Sequence, residues 1–331
     1  MKSGVALQGV YDPRVFEGYV SEIEDLGFDQ LWITDSSLHS RNPYVYLTLA
    51  ARCSTRLTLG TAVTNPVTRH PAVTAVAISS VDVVSDGRAI LGIGAGDRPL
   101  LSLGLKPAPL AQLEDSVAAV RALWTGSSVT MEGHGFRLDD AHMRLETRED
   151  IPVYISASGP KTLELAGRIA DGVILLCGLH PEGLQWALSH IDRGAEMAGR
   201  SARPHITVFA YGAVDDDEEA AIAAGRTIAG WFPQTAPVYC EMAGLSADLV
   251  QEIREKYSGG EFQEATEASA LLPLDFVRRM SLCGDVASAR VHVRNMRELG
   301  IDAVSVFPLS EDRMATVRGF KAAFDAETGG V

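Results

Sequence analysis

Short, near-continuously apolar runs alternate with longer amphipathic stretches along almost the whole chain, and this alternation limits the fold more than any other feature. β-Rich runs fall at 4–9, 30–34, 57–64, 88–94, 151–157, 172–177, 206–213 and 302–307. Between them, 14–26, 71–84, 112–124, 161–170, 182–198 and 286–299 carry apolar residues at helical spacing. Strands that are apolar on both faces are strands covered by helices, the habit of parallel sheets. About eight strand–helix units therefore predict a closed (β/α)₈ TIM barrel, with an open doubly wound sheet as the alternative.

Two segments break the alternation. Residues 129–146 alternate apolar and polar around Gly133 and Gly135, which predicts a hairpin after the fourth helix. Residues 215–280 predict two or three helices and no strand, an insertion between strands seven and eight. At a barrel mouth such an insertion builds a pocket or its lid. The whole of 1–331 is expected to form one domain.

Composition narrows the partners. A net charge of −14 argues against nucleic acid or an anionic membrane as the main partner. No apolar stretch reaches the roughly 18 residues of a membrane helix, and no leader-like run opens the chain. Cys53, Cys177, Cys240 and Cys283 are widely spaced, as expected of reduced thiols rather than a zinc or disulfide framework. A cytoplasmic protein acting on a small molecule is the expectation. The acidic run 215–219 suits the first turn of a helix, where carboxylates meet the positive dipole end, better than a metal, so no metal is expected.

Several loops could carry chemistry. Asp35 ends strand two, and a carboxylate there serves either as a hydrogen-bond acceptor or as a helix N-cap. Ser36 follows it, and His39 lies four residues beyond Asp35. The run Gly94-Ala95-Gly96-Asp97 lacks the dinucleotide-binding spacing. Its glycines allow either a flat ring to approach the backbone or an ordinary tight turn. Ser156-Ala157-Ser158-Gly159-Pro160-Lys161 opens a helix, and the segment is either an anion cradle of free amides or a serine-capped start. Arg41, Arg69, His70, Arg98 and Lys161 are candidates for a cationic rim. No G-x-S-x-G or H-E-x-x-H motif supports hydrolysis.

Taken in order, WITD at 32–35, LGTAVTNP at 59–66, RHPA at 69–72, DGRAILGIGAGD at 86–97, IPVYISASGPKTLELAGRIADGV at 151–173 and the closing CGD…ELGIDAV resemble the luciferase-like superfamily. Within it, the chain is similar to the coenzyme F420-dependent methylenetetrahydromethanopterin reductases. The resemblance implies a TIM barrel and hydride transfer with F420, or oxygenation with FMN in a two-component monooxygenase. A non-catalytic flavin-binding protein is a third possibility. It places Asp35 and Ser36 beside the deazaflavin ring, and makes Ala62-Val63 a cis peptide behind that ring. Thr64 and Asn65 would extend the wall, with Gly94 to Asp97 nearby. Ser156 to Gly159 would hold the ribityl phosphate, with Leu176, Cys177 and Gly178 lining the same groove. Two departures are visible. Ser36 stands where many relatives carry histidine, and Ala6 where the pterin reductases carry a carboxylate, which leaves Gln8 as the polar group on that strand. The resemblance also implies a homodimer, and the helix at 71–84 is apolar on more than one face.

Overall fold

The computed structural model describes residues 1–256 and 266–329. The chain begins with β1 (Lys2–Leu7), α1 (Pro13–Asp25), β2 (Gln30–Ile33), α2 (Pro43–Cys53), β3 (Thr58–Thr61), α3 (Pro71–Val84) and β4 (Ala89–Ile93). A short α4 (Arg98–Ser102), α5 (Leu110–Trp124) and the antiparallel hairpin β5 (Val129–Gly133) and β6 (Phe136–Ala141) follow. The alternation resumes with β7 (Val153–Ala157), α6 (Pro160–Ile169), β8 (Gly172–Leu175), α7 (Pro181–Met197) and β9 (His205–Val214).

Strand order is β9, then the last strand β11 (Ala303–Pro308), then β1-β2-β3-β4-β7-β8, and β8 pairs back onto β9. All eight pairings are parallel, so the sheet closes into the expected barrel. Long β9 also carries the three-residue β10 (Leu282–Gly284) beside its C-terminal end. The chain closes with α14 (Val286–Glu298) before β11 and α15 (Arg313–Thr328) after it.

The period of two along each strand sorts the core into two shells. Val5 and Leu7 of β1 and Leu31 and Ile33 of β2 face the helices. Ala6 and Trp32 face inward, where they join Ile90, Tyr154, Ile174, Phe209 and Phe307. Gly60 is required by this filling. A Cβ there would lie 2.3 Å from the Trp32 ring, which occupies the space instead.

Some expectations are corrected. The insertion holds six helical segments among the described residues rather than two or three: α8 (Glu218–Ala229), α9 (Phe232–Thr235), α10 (Pro237–Met242), α11 (Ala247–Lys256), α12 (Thr266–Ser269) and α13 (Leu274–Met280). Pro233 and Pro237 start new helices because proline suits a first turn and cannot continue an earlier one. Residues 257–265 of the insertion lie outside the described residues. Helices α2 and α15 were not expected; the aromatic and β-branched start of α2 reads locally as strand. The acidic run does open a helix, with Asp217 accepting from the amides of Glu219 and Ala220. No helix among the described residues is long and apolar enough to cross a membrane.

Candidate functional site

Parallel strands share one C-terminal mouth, and the expected site segments gather there. Asp35 lies two residues beyond β2, with its side chain 4% exposed. It accepts from Thr64 Oγ1 at 2.8 Å and from Arg69 Nη2 at 3.1 Å, while Arg69 Nη1 bonds its other oxygen. The Arg69 guanidinium in turn lies 5.3 Å from the centre of the Tyr44 ring. Burial pushes the Tyr44 hydroxyl up to about 12, so it stays protonated. Asp35 is thus an acceptor and not a helix cap, and Arg69 is spent on it rather than on a free rim.

The next segment crosses the mouth from β3 to β4. The Ala62–Val63 peptide is cis. Thr64 donates its amide to Gly92 O at 2.9 Å and accepts from Gly94 N at 2.9 Å, which pins the segment along the end of β4. A Cβ on Gly94 would come within 3.0 Å of Val63 Cγ2 and 3.3 Å of Ser156 Cβ. Glycine there lets three strand ends meet in a flat wall. Asn65 is turned to another task, since its Oδ1 accepts from the amides of Val67 and Thr68 at 3.0 and 2.9 Å. Beyond it, Ala95 O accepts from Ala108 N, Gly96 packs on Leu100, and Asp97 is exposed at the start of α4.

Ser156 and Ala157 end β7, and Gly159 occupies the N-cap position of α6 with no side-chain cap. Ser158 does not cap it, because its hydroxyl donates to Leu176 O at 3.0 Å. The first-turn amides of α6 therefore lack a side-chain acceptor, and the positive dipole end faces out beside exposed Gly159 and Lys161. A Cβ on Gly159 would meet nothing within 4 Å, so the helix start is open on that side.

Other expected residues are placed differently. Leu176 is half-buried and Gly178 has a φ of +78°, but Cys177 is fully buried and its thiol is pushed up to about 12 by that burial. Only the backbone of Cys177 can face the groove. Gln8 continues the inward series of Ala6 just past β1 and is half-buried. Ser36 is half-buried and its carbonyl accepts from the amides of His39 and Ser40, which leaves His39 exposed on a turn. Arg41 is not a rim cation, since it ties the carbonyls of Val10 and Tyr11 at 3.0 and 3.2 Å. His70 caps α3 through Nδ1, which accepts from Ala72 N. The Arg98 side chain lies outside the described residues. Lys161 is the expected cation that stands at the open helix start.

Sequence reasoning missed the Asp35–Arg69 pairing and the aromatic floor. Tyr211 stacks on Phe307 with centroids 4.4 Å apart, at the upper end of the inner core. The alternation His205, Thr207, Phe209, Tyr211 carried that signal, because every second residue of a barrel strand faces inward. Pairing between distant loops left no comparable trace.

Compared with known proteins, the chain matches the luciferase-like monooxygenase family over residues 3–303. It is 38% identical to the 5,10-methylenetetrahydromethanopterin reductase of Archaeoglobus fulgidus over 77% of each chain. It is 31% identical to the enzyme of the same name from Methanolobus tindarius, over 86% of this chain and 87% of that one. Among solved structures, the coenzyme F420 dependent tetrahydromethanopterin reductase from Methanopyrus kandleri superposes with a TM-score of 0.84, at 26% identity and 97% coverage of both chains. A barrel with these segments at its mouth, matched over nearly its full length, belongs to the luciferase-like monooxygenase family.

Proposed function

We propose that this chain is an F420-dependent oxidoreductase, transferring hydride between the reduced deazaflavin and an unsaturated or imine-like small molecule. The observation that carries the reading is the convergence at one barrel mouth of a glycine-flattened wall, the Asp35 network and the uncapped start of α6. Its sequence relatives at 31% and 38% identity are reductases of a pterin, and the structural relative named for F420 shares the whole barrel.

The residues fit a flat ring carrying a phosphate. Gly94 keeps the wall level, the inner aromatic cluster closes the floor, and the α6 amides with Lys161 suit an anion. Bound there, the deazaflavin supplies the hydride. Asp35, fixed by Thr64 and Arg69, offers an oriented acceptor at the mouth. The Val63–Gly94–Ser156 wall and the insertion exclude water and hold the reacting faces together. Ser36, Gln8 and His39 are the polar groups offered to substrate.

Ala6 is fully buried among apolar neighbours, so the barrel offers no carboxylate at that position. Turnover of methylenetetrahydromethanopterin is expected to be weak or absent, and rapid oxidation of reduced F420 by that pterin would overturn the substrate reading.

One observation favours FMN and monooxygenation as the second reading. With Arg41 and Arg69 committed elsewhere, the rim holds fewer cations than the charged tail of F420 invites, whereas FMN carries a single phosphate. Fluorescence titration of the purified protein with each cofactor decides. Micromolar FMN binding without F420 binding promotes the second reading.

We also infer a cytoplasmic homodimer with one domain per chain. Val45, Val73, Val76, Val83 and Val84 are exposed on α2 and α3. These helices flank a groove of about 440 Å³ lined mainly by apolar atoms. A ridge beside a groove on one surface is the self-complementarity that a two-fold interface needs.

A further inference from the structure

We propose that Tyr239, a residue of the helical insertion, is a positioning residue that aims the Gly159 amide at the start of α6 toward the anion. The inference rests on reading that helix start as the cofactor's phosphate cradle. It adds a second element to the cradle, from a different part of the chain 81 residues away.

The Tyr239 hydroxyl donates to the backbone carbonyl of Ser158 at 2.7 Å. That carbonyl belongs to the same planar peptide unit as the Gly159 amide. In a trans unit the C=O and N–H point in opposite directions. Drawing the carbonyl toward Tyr239 therefore turns the Gly159 N–H the other way, and a Cβ on Gly159 would meet nothing within 4 Å. The other side of Ser158 is fixed as well, because its hydroxyl donates to Leu176 O at 3.0 Å. Two hydrogen bonds from two elements thus hold a residue that has no capping role of its own.

Tyr239 has little freedom to do otherwise. Its side chain is fully buried. Its ring stands edge-on to Trp186 of α7, with centroids 5.5 Å apart at 90°. Gly183 lies against it so closely that a Cβ there would be 3.1 Å from Tyr239 Cδ1. Burial pushes the pKa of the hydroxyl far above its ordinary value, which keeps it protonated and a donor at every working pH. The insertion thereby reaches the cradle through one rigid strut as well as roofing the mouth.

The strut acts only on the anion, and this separates it from a residue that merely supports the fold. Fluorescence titration would compare wild type, Tyr239→Phe and Lys161→Glu with four ligands: F420, its phosphate-free ribityl-deazaflavin core, FMN and riboflavin. Tyr239→Phe keeps the ring and loses one hydrogen bond. It should weaken F420 and FMN binding by about 5- to 10-fold and leave the two phosphate-free ligands within about 2-fold, in line with the worth of one hydrogen bond. Equal weakening of all four ligands would mean a purely structural role and would overturn the proposal. So would unchanged affinity for F420 and FMN. Lys161→Glu tells the two failures apart. If it weakens the phosphorylated ligands while Tyr239→Phe does not, the cradle stands and the strut falls. If neither variant affects them, the cradle reading falls too.

Discussion

Arg69 grips Asp35 through both guanidinium nitrogens, across 34 residues of sequence, with the two side chains 18% and 4% exposed. Thr64 adds a third donor to the same carboxylate, and the Tyr44 ring lies under the guanidinium. The pair joins the barrel mouth to the outer groove of α2 and α3, because Arg69 also lines that groove.

Breaking this pair from one side leaves a charge in a nearly closed site, which in comparable settings costs about 3–5 kcal/mol. Arg69→Met should lower stability by about 3 kcal/mol, the lower end because Arg69 keeps some solvent. Arg69→Lys, which cannot bond the carboxylate in the same forked way, should fall between the two. Urea melts of the three proteins check this, and an unchanged midpoint for Arg69→Met would show that the pair anchors nothing.

Burial lowers His292 to about 4, with the backbone of Leu179 and Arg278 beside it. Its folded value thus lies below its unfolded value of about 6.5, so between those values the unfolded chain binds more protons. Stability should be complete above about pH 6.5, fall as pH drops toward 4, and level off below, a loss of about 3 kcal/mol from this residue. His180 and His205 are lowered by burial as well and add to the same slope. Denaturant melts at pH 7 and 4.5 should show a smaller acid loss in His292→Gln than in wild type. Equal losses would rule the assignment out.

Exposed valines on α2 and α3 should be covered in solution. Val73→Glu places a charge where a second copy would sit, and at micromolar concentration it should shift the protein from dimer to monomer in sedimentation velocity. Its melting point should change little beyond the lost association, since Val73 is 56% exposed in the single chain. Wild type sedimenting as a monomer would end this reading.

At a net charge of −14 the chain repels an anionic ligand at long range. If α6 is the cradle proposed above, local contacts there must supply the cofactor's affinity. Lys161→Glu should weaken F420, with its anionic tail, more than FMN, and wild-type F420 affinity should fall as salt rises from 50 to 500 mM on the order expected for screened charges. Calorimetric titrations in both salts measure it. Equal sensitivity of the two cofactors would remove Lys161 from tail recognition.

The sequence by itself determined the barrel, the hairpin, and the order of segments around the mouth. Those properties are local. A strand covered by helices is apolar along its length, as β8 is, and a glycine pair such as Gly133 and Gly135 marks a turn. The sequence reading passed over α2, where Tyr44, Val45 and Tyr46 favour a strand locally and burial against the barrel makes a helix. It also understated the insertion, because helices of four to six residues leave too little periodicity to count. Which residues do the work at the mouth was decided only by tertiary structure. Arg69 and Arg41 are equal as cations in the sequence, yet one holds Asp35 and the other ties the carbonyls after β1. Ser158 looks like a helix cap but bonds Leu176 and receives Tyr239, which leaves the α6 amides open. Such choices depend on which groups from distant strands meet within hydrogen-bonding distance, and closing eight strands into a ring is what brings them there.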